Sequence, residues 1–441
     1  MKLQHLVLPV LLVVFLASFT LSLSHDIDVH RHHQETPAAN NIRVGYGGPI
    51  SSPSQINHGG HDNFDDSDLA LAKGDGIKDD TKAFKEAWKR ACSSRGRAML
   101  FVPNNTYLLK PIKFSGHCKP DHLTLRIKGT ILASPNRSDY HDRTHWIGFE
   151  DVDNFRVEGG GTFDGNGRIW WKNSCKINKS LPCSAAPTVS CDVPRMQKLR
   201  VANMKFRNAQ KMHVSFQKCV NVIAFGLRVT APEHSPNTDG IHITGTSNIT
   251  LRNSIIATGD DCISIVSGSK NVRATRITCG PGHGISIGSL GAGNSEAHVS
   301  NVFVNEATFS GTTNGVRIKT WQGGYGYARN IWFENITMNK VKNPIIIDQN
   351  YCDKKKPCGE QKLAVQIRDV VYRNIRGTSS SEVAIRFDCS EHFPCRGISL
   401  RDVVLEAAPD NDDHHGRDDE VEASCHNVTF HTRGKVSPSC S

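Results

Sequence analysis

Hydrophobic and polar positions change their spacing once along the chain, beginning at Asp79. The stretch DDTKAFKEAWKRAC has helical spacing, and its apolar face consists of Phe84, Ala87, Trp88 and Ala91. Asp80 or Thr81 can cap this helix, because short polar side chains accept hydrogen bonds from the first amides of a helix. Short runs of alternating polarity follow, separated by Gly and Asn, and this pattern is typical of strands. The chain is therefore predicted to form one substantial helix followed by an all-β domain.

The strand-like runs recur with a fixed period. Three of them lie 22 residues apart: Ile241-His-Ile243, Ile263-Ser-Ile265 and Ile285-Ser-Ile287. A second series begins with Asn, at Asn221, Asn248, Asn271, Asn301 and Asn330. Later runs with longer insertions begin at Val316, Ile345 and Ile385. Such a repeat indicates a coil of parallel sheet in which each turn stacks on the previous one, with Asn at its left-handed bends and the helix capping its first turn. A β-sandwich, the rival fold, has no reason to keep one period.

The beginning of the chain has the layout of a signal peptide. Lys2 precedes an apolar run from Leu6 to Leu23, and small residues follow near Ser24. We expect residues 1–24 to be removed; an uncleaved anchor is the alternative, which the shortness of the run disfavours. Residues 25–65 are rich in His, Gly, Pro, Ser and Asp and are predicted to be a mobile extension or pro-segment. Residues 66–441 form the predicted repeat domain, and no later segment is apolar enough to cross a membrane.

Cysteine usage fits an oxidising compartment. All 14 Cys lie beyond the signal peptide, and an even number suits a disulfide framework. Zinc is the competing ligand for closely spaced cysteines, but no CxxC pair or His partner at zinc spacing accompanies them. The candidate disulfide pairs are Cys262–Cys279, Cys352–Cys358 and Cys389–Cys395. Sequons for N-glycosylation agree with secretion and occur at Asn104, Asn136, Asn178, Asn248, Asn335 and Asn427.

Net charge narrows the class of binding partner. The formal charge of the chain is +10, and a basic secreted protein favours polyanions. Nucleic acid is disfavoured, because no dense run of Lys and Arg with interleaved aromatic residues is present. An acidic polysaccharide fits the predicted compartment better.

The 22-residue period also applies to ionisable residues. Asp239, Asp261 and His283 occupy one position on three successive turns, and Asp260 stands beside the middle one. Because parallel strands lie about 4.8 Å apart, these side chains should stack in a column. Strict alternation from Ile241 would point the column into the apolar core, at a high desolvation cost. We therefore expect Gly240 and Gly284 to bend the chain so that the acids face outward; an internal polar ladder is the alternative.

Crowded carboxylates favour acid–base chemistry. Mutual repulsion raises the pKa of at least one member, which can then donate a proton while the others remain bases. Glycoside hydrolysis needs this division of roles. Calcium binding is the competing use of clustered Asp, but His283 and the basic residues downstream disfavour it. Those residues, Arg317 and Lys319, have i, i+2 spacing on a predicted strand, so both face one side and can hold a substrate carboxylate. An ordinary solvated pair is their alternative.

Four motifs in order make the chain resemble a known family. They are Ser235-Pro-Asn-Thr-Asp-Gly-Ile-His242, Gly259-Asp-Asp261, Cys279-Gly-Pro-Gly-His-Gly-Ile-Ser-Ile-Gly288 and Arg317-Ile-Lys319. Together they resemble the signature motifs of polygalacturonases, the pectinases of glycoside hydrolase family 28. Asp348-Gln-Asn-Tyr-Cys352 is similar to the Tyr-bearing segment of that family. The resemblance covers about residues 70–440.

The resemblance implies a fold, a reaction and a set of roles. The fold is a right-handed parallel β-helix, and the reaction is hydrolysis of α-1,4 galacturonosyl bonds with inversion. Asp260 is then the general acid, while Asp239 and Asp261 position and deprotonate water. His283 tunes the charge state of the acid. The implied substrate-binding residues are Asn237, Arg317, Lys319 and Tyr351, and no metal or cofactor is implied.

The resemblance also sets the remaining expectations. We expect a monomeric enzyme secreted to the plant cell wall, acting on de-esterified pectin by internal cleavage rather than from chain ends. The spacing of adjacent turns is nearer the carboxyl separation of retaining enzymes, so inversion depends on the resemblance. The rival hypotheses are a pectate or pectin lyase on a similar coil and a non-catalytic pectin-binding wall protein.

Overall fold

The computed structural model describes most of the predicted repeat domain. The described residues are 42–47, 71–141, 143–182, 186–192, 197–353, 358–409 and 420–440. The predicted signal peptide lies outside them, as does most of the predicted extension. No helix within these ranges is long and apolar enough to cross a membrane.

Two parallel sheets wind around a common core. Strands are numbered along the chain. Sheet 1 contains β5 (Ile112–Ser115), β8 (His145–Glu150), β11 (Thr188–Asp192), β14 (Val214–Gln217), β17 (Ile241–Thr244), β19 (Ile263–Ile265), β21 (Ile285–Leu290), β23 (Asn314–Trp321), β25 (Asn343–Tyr351), β27 (Val383–Asp388) and β29 (Glu422–His426). Its neighbouring strands follow this order.

Sheet 2 takes up the strands between those of sheet 1. It contains β1 (Arg43–Gly47), β2 (Asp75–Asp79), β3 (Arg97–Val102), β4 (Thr106–Leu109), β6 (His122–Ile127), β7 (Thr130–Ala133), β9 (Phe155–Glu158), β10 (Thr162–Asp164), β12 (Gln197–Ala202), β13 (Lys205–Arg207), β15 (Val220–Phe225), β16 (Arg228–Thr230), β18 (Ser247–Ala257), β20 (Lys270–Cys279), β22 (Glu296–Ser310), β24 (Tyr325–Val341), β26 (Gln366–Ser379), β28 (Cys395–Ala407) and β30 (Val428–Ser437). The alternation of the chain between two curled parallel sheets is that of a right-handed parallel β-helix, which confirms the predicted fold class.

The sequence repeat coincides with the turns of the coil. Ile241 pairs with Ile263, and Ile263 pairs with Ile285, so the 22-residue period is one turn. The runs with longer insertions continue the same column through Val316, Ile345 and Ile385. All of these side chains are buried in the core. Along each strand, buried Ile and Val alternate with residues that face outward, and this alternation fixes which side of the strand faces the interior.

Asparagine forms the bends that the sequence predicted. Asn221, Asn248, Asn271, Asn301 and Asn330 all have positive φ, which Asn tolerates better than most residues. From Asn248 onward, each side-chain amide donates to the Oδ1 of the Asn one turn earlier, at 2.8–3.2 Å. We call this row the asparagine ladder.

A helix covers the first turns of the coil, as predicted. Helix α1 (Thr81–Ser93) buries its apolar face, and the Trp88 ring meets Phe114 and Phe155. Its N-cap residue is Asp80, but the Asp80 carboxylate makes no cap hydrogen bond. That carboxylate accepts instead from the amides of residues 73 and 74. A second, one-turn helix is α2 (Arg168–Lys172).

Two further features concern the predicted boundaries and disulfides. Part of the predicted extension forms β1, which pairs antiparallel with β3 and buries Ile42 and Val44. The prediction of a mobile extension did not include this strand, because its apolar residues are too few to show periodicity. The three predicted disulfides form, and Cys92–Cys118 and Cys425–Cys440 are added.

Candidate active site

The acidic residues lie on the outer face of sheet 1, two to three residues before β17 and β19 begin. Asp239 Oδ2 accepts a hydrogen bond from Ser264 Oγ at 2.8 Å, and Ser264 stands between two core residues but faces outward. Gly240 explains this arrangement, since a Cβ there would lie 2.6 Å from the carbonyl oxygen of Cys262. The glycine thus occupies the inward position and resets the alternation. The outward prediction holds, and the internal polar ladder is wrong.

Asp261 is the most heavily paired carboxylate of the cluster. It is 2% exposed. Its Oδ1 accepts from Arg317 Nη2 and from Ser286 Oγ, both at 2.8 Å. Its Oδ2 accepts from Lys319 Nζ at 3.0 Å. Arg317 and Lys319 are therefore fixed beside the acids, which the i, i+2 spacing predicted, and are not a solvated pair.

Asp260 makes a separate set of contacts. His283 Nδ1 lies 3.0 Å from its Oδ1, which also accepts from the Asp261 amide at 2.8 Å. Its Oδ2 lies 3.5 Å from Asn237 Nδ2, at the edge of hydrogen-bond distance. Asn237 has a φ of 54°, so a left-handed bend aims its amide at the acid. The adjacent carboxylates of the Asp-Asp pair thus point to different partners.

The pKa values of the acids move in opposite directions. Burial, followed by repulsion from Asp260 and Asp261, holds the pKa of Asp239 well above its usual value. Burial also raises the pKa of Asp260, but the hydrogen bond and charge of His283, with the charge of Lys319, outweigh it and lower that pKa overall. Crowding does raise one pKa, as expected. The raised pKa belongs to Asp239 on the neighbouring turn, not to a member of the Asp-Asp pair.

The cluster offers poor ligands for a metal ion. Atoms of Asp260, Asp261 and His283 lie within 4.8 Å of one another, which is close enough for joint coordination. However, both oxygens of Asp261 already accept from cations, and His283 already contacts Asp260. A hard cation would have to displace Arg317 and Lys319 electrostatically, so the residues present do not fit calcium.

Tyr351 stands at the end of β25, beyond the cations. Lys319 Nζ lies 5.5 Å from the centroid of its ring, and the Trp321 ring meets it edge-on at 5.2 Å. Burial, together with the charge of Asp353, raises the pKa of Tyr351 to about 12, so its hydroxyl stays protonated. The structure thus brings all of the sequence-predicted site residues to one face.

Three functional neighbours were missed by the sequence reasoning. Ser264 and Ser286 hold Asp239 and Asp261, and their common position in the Ile-Ser-Ile repeat was the available signal. Asp348 lies opposite Lys319 in the strand register, on the next turn. Burial, followed by repulsion from Asp388, raises the pKa of Asp348 to about 6.

One ion pair crosses the outer face of sheet 1. Lys176 lies in the segment that enters β11, and Asp353 lies in the segment that leaves β25. Lys176 Nζ contacts both carboxylate oxygens of Asp353, at 2.7 and 2.6 Å. Five strands of sheet 1 lie between those two, and the interior is filled with apolar side chains. The contact therefore passes over the outer face that carries the acids, which we call the cleft.

A parallel β-helix with clustered carboxylates in a cleft has the groups that glycoside hydrolysis by acid–base catalysis requires. Residues 92–437 match the family model of Glycosyl hydrolases family 28. The chain belongs to this family. Polygalacturonase QRT2 of Arabidopsis thaliana is 54% identical over 418 residues, which are 94% of this chain and 91% of that protein. A polygalacturonase of Malus domestica is 57% identical over 84% of this chain and 77% of its own.

Solved structures share the fold. The polygalacturonase of Erwinia carotovora superposes with a TM-score of 0.62 over 80% of this chain and 94% of its own, at 21% identity. The endo-xylogalacturonan hydrolase of Aspergillus tubingensis gives a TM-score of 0.67 over 82% of this chain and 98% of its own, at 22% identity. Both similarities show that the fold is shared.

Proposed function

We propose that this protein hydrolyses the α-1,4 galacturonosyl bonds of polygalacturonate, the de-esterified form of pectin. The single observation that carries the proposal is the meeting of Asp239, Asp260 and Asp261 in one cleft beside two fixed cations. Family membership and the plant polygalacturonase relatives support the substrate. The proposal includes secretion to the plant cell wall as a monomer after removal of residues 1–24, with residues 25–65 as an extension or pro-segment.

Asp260 is the proposed general acid. Its low pKa makes it a strong donor once protonated, because His283 and Lys319 stabilise the carboxylate that remains after proton transfer. The same low pKa keeps few molecules protonated in the free enzyme. A galacturonate carboxylate that binds Arg317 and Lys319 would neutralise nearby positive charge and raise the pKa of Asp260. Substrate binding would thus favour the protonated form of Asp260.

Asp239 and Asp261 are the proposed groups that handle water. Because its pKa is raised, Asp239 is the better base whenever it is ionised. Asp261, held by Arg317 and Lys319, orients the water and its partner carboxylate. Inversion needs the water on the face of the sugar opposite Asp260. The family resemblance implies inversion. Tyr351 and Asn237 are the proposed contacts to the sugars.

The decisive experiment replaces the proposed acid. Asp260→Asn should lower the release of reducing ends from polygalacturonate by a factor of about 10³, because general acid catalysis contributes on the order of 10²–10⁴. The variant should still fold, since Asn keeps the shape of the side chain, and circular dichroism checks this. Undiminished hydrolysis in this variant would refute the assignment.

The rivals differ in their products. A lyase cleaves by β-elimination and produces unsaturated ends that absorb in the ultraviolet, whereas a hydrolase produces reducing ends alone. A pectin-binding wall protein releases neither. For the mode of cleavage we propose internal attack, because sheet 1 continues for several strands on both sides of β17–β23. Mid-length oligomers should precede monomer when products of long polygalacturonate are sized over time.

A further inference from the structure

A long groove lies on the outer face of sheet 2, apart from the cleft. It consists of two adjoining concavities with volumes of about 630 Å³ and 500 Å³, which share Asn248 and Thr250. None of their lining residues belongs to the acidic cluster. The larger concavity exceeds what a single side-chain packing defect leaves, and nothing in the proposed mechanism uses it.

The groove follows the axis of the coil. One column of paired residues runs through it on seven successive turns: Arg156, Arg200, Ile223, Thr250, Arg273, Phe303 and Trp332. Six steps of about 4.8 Å give it a length of roughly 29 Å. The asparagine ladder borders this column and supplies polar groups at the same spacing. The surface therefore suits an extended chain that repeats, not a compact ligand.

The groove presents cations on aromatic faces. The guanidinium of Arg200 lies 4.8 Å from the centroid of Phe225, and that of Arg252, two residues beyond Thr250 on β18 and outside the lining of the groove, lies 5.2 Å from the same ring. Arg273 lies 4.7 Å from the centroid of Phe303. Stacking on a ring holds the guanidinium plane and leaves its edge N–H groups available for bidentate bonds to a carboxylate.

These cations lack anionic partners within the described residues. The ion pairs found there include none with Arg156, Arg200, Arg252 or Arg273. The Nε of Arg200 is buried and has no hydrogen-bond partner there. At the far end, Glu334 lines the groove but pairs with Arg373 at 2.7 Å, so that end is neutral. The groove as a whole is positive.

We propose that this groove is a second, non-catalytic site that binds a strand of acidic polysaccharide along the coil axis. Charge complementarity commits it to an anionic occupant, and the half-buried Phe303 and Trp332 offer apolar faces on which sugar rings can pack. The inference depends on the proposed function only for naming the polymer as polygalacturonate. A bound strand keeps neighbouring segments near the cleft and raises their effective concentration.

A glycan is the competing occupant. Asn248 opens the sequon Asn248-Ile-Thr250, and both residues line the groove. The Asn248 amide already donates to Asn221 and its Oδ1 already accepts from Asn271, so the ladder uses both ends of the side chain. Peptide mass analysis of the protein secreted by plant cells should find Asn248 unmodified. Full occupancy by a glycan would overturn the proposal.

The test removes two groove cations and compares two matched cations elsewhere. The groove variant is Arg200→Ala with Arg273→Ala, and the control is Arg228→Ala with Arg396→Ala, both exposed on sheet 2 strands outside the groove. Both lose two positive charges. The readout is the ratio of kcat/KM on long polygalacturonate to kcat/KM on a short oligogalacturonate. The ratio should fall about tenfold in the groove variant, or about 1.4 kcal/mol, and little in the control.

Retention on immobilised polygalacturonate gives a second measurement. It is made in the Asp260→Asn background, so that the gel is not digested, and the groove variant should be retained more weakly than the control. Equal losses in the two variants would show a general charge effect and refute the site. Stronger competition by single-stranded RNA than by soluble polygalacturonate would show that the groove prefers a nucleic acid, and would refute the proposed polysaccharide. An inactive parent enzyme on every oligogalacturonate would instead refute the proposed function.

Discussion

The cleft on sheet 1 and the groove on sheet 2 use the same scaffold for opposite electrostatic arrangements. Both place side chains on the outer faces of strands that stack in register. In the cleft, anions and cations are buried together, so that Asp261 is 2% exposed and Lys319 is 8% exposed. In the groove, Arg200 and Arg273 are more exposed, rest on aromatic rings and form no ion pair with a carboxylate of the described residues.

The difference separates catalysis from affinity. Buried, mutually dependent charges shift each other's pKa values and cost free energy when one is removed. Exposed cations that rest on aromatic rings attract a polyanion without shifting the pKa of a neighbouring group. We therefore expect substitutions in the cleft to change stability, rate and pH dependence together, and substitutions in the groove to change only binding of long chains.

The largest expected effect tests burial directly. Arg317→Ala leaves Asp261 buried with one cation fewer, so it should lower the free energy of unfolding by about 3 kcal/mol. Arg273→Ala in the groove removes a cation of the same type and should lower it by less than about 1 kcal/mol. Urea unfolding followed by circular dichroism measures both. Similar losses in the two variants would contradict the comparison.

Next in size is the effect of the histidine on rate. His283→Gln removes the interaction that lowers the pKa of Asp260, so that pKa should rise. A general acid must be protonated, and a higher pKa therefore moves the alkaline limb of the kcat/KM profile to higher pH. The maximal rate should fall about 100-fold, because the carboxylate formed on proton transfer loses its partner.

The control for this prediction is a histidine of another surface. His298 stacks on Tyr327 and contacts Glu296, away from the acids. His298→Gln should leave both limbs of the profile in place. A His283 variant with a slower rate but an unmoved alkaline limb would show that the imidazole acts on something other than Asp260.

How far the sequence predicted this site depends on which interactions are periodic. The column of Asp239, Asp261 and His283 followed from the 22-residue spacing alone, because a parallel coil converts sequence distance into stacking. The outward direction of the acids needed Gly240, which a reader of the sequence can suspect as a bend. The predicted fold, helix and disulfides follow from similarly regular signals.

Other features depend on contacts that no spacing encodes. The raised pKa of Asp239 results from its degree of burial and from two neighbours at once, so the spacing of the acids does not show which of them has the raised pKa. The strand β1 is defined by its pairing with β3, some 50 residues later. The groove gives no sequence signal, because its cations are dispersed over many turns and form no dense basic run.

A smaller effect concerns stability and pH. The pKa of Asp239 is raised above its usual 3.8, so the stability that its proton contributes is present at low pH and lost as pH rises through the folded-state pKa. Asp239→Asn removes this loss and should raise the melting temperature at neutral pH, by an effect on the order of 1 kcal/mol, while abolishing activity. At pH 3 the variant should gain nothing. A variant destabilised equally at both pH values would contradict the raised pKa.

The smallest expected effect concerns the ion pair over the cleft. Lys176 and Asp353 are both exposed, and such pairs contribute less than about 1 kcal/mol. Lys176→Asp should therefore leave melting temperature nearly unchanged and speed the first cleavages of long polygalacturonate by at most about fivefold, because a contact over the cleft no longer has to open. The swap Lys176→Asp with Asp353→Lys restores the pair with reversed charges and should return the rate toward that of the parent. Viscosity loss at low and high salt measures the effect, and salt should reduce it. If the swapped variant behaves like the single variant, charge pairing across the cleft is not what limits entry, and the open face of sheet 1 already admits the interior of a chain.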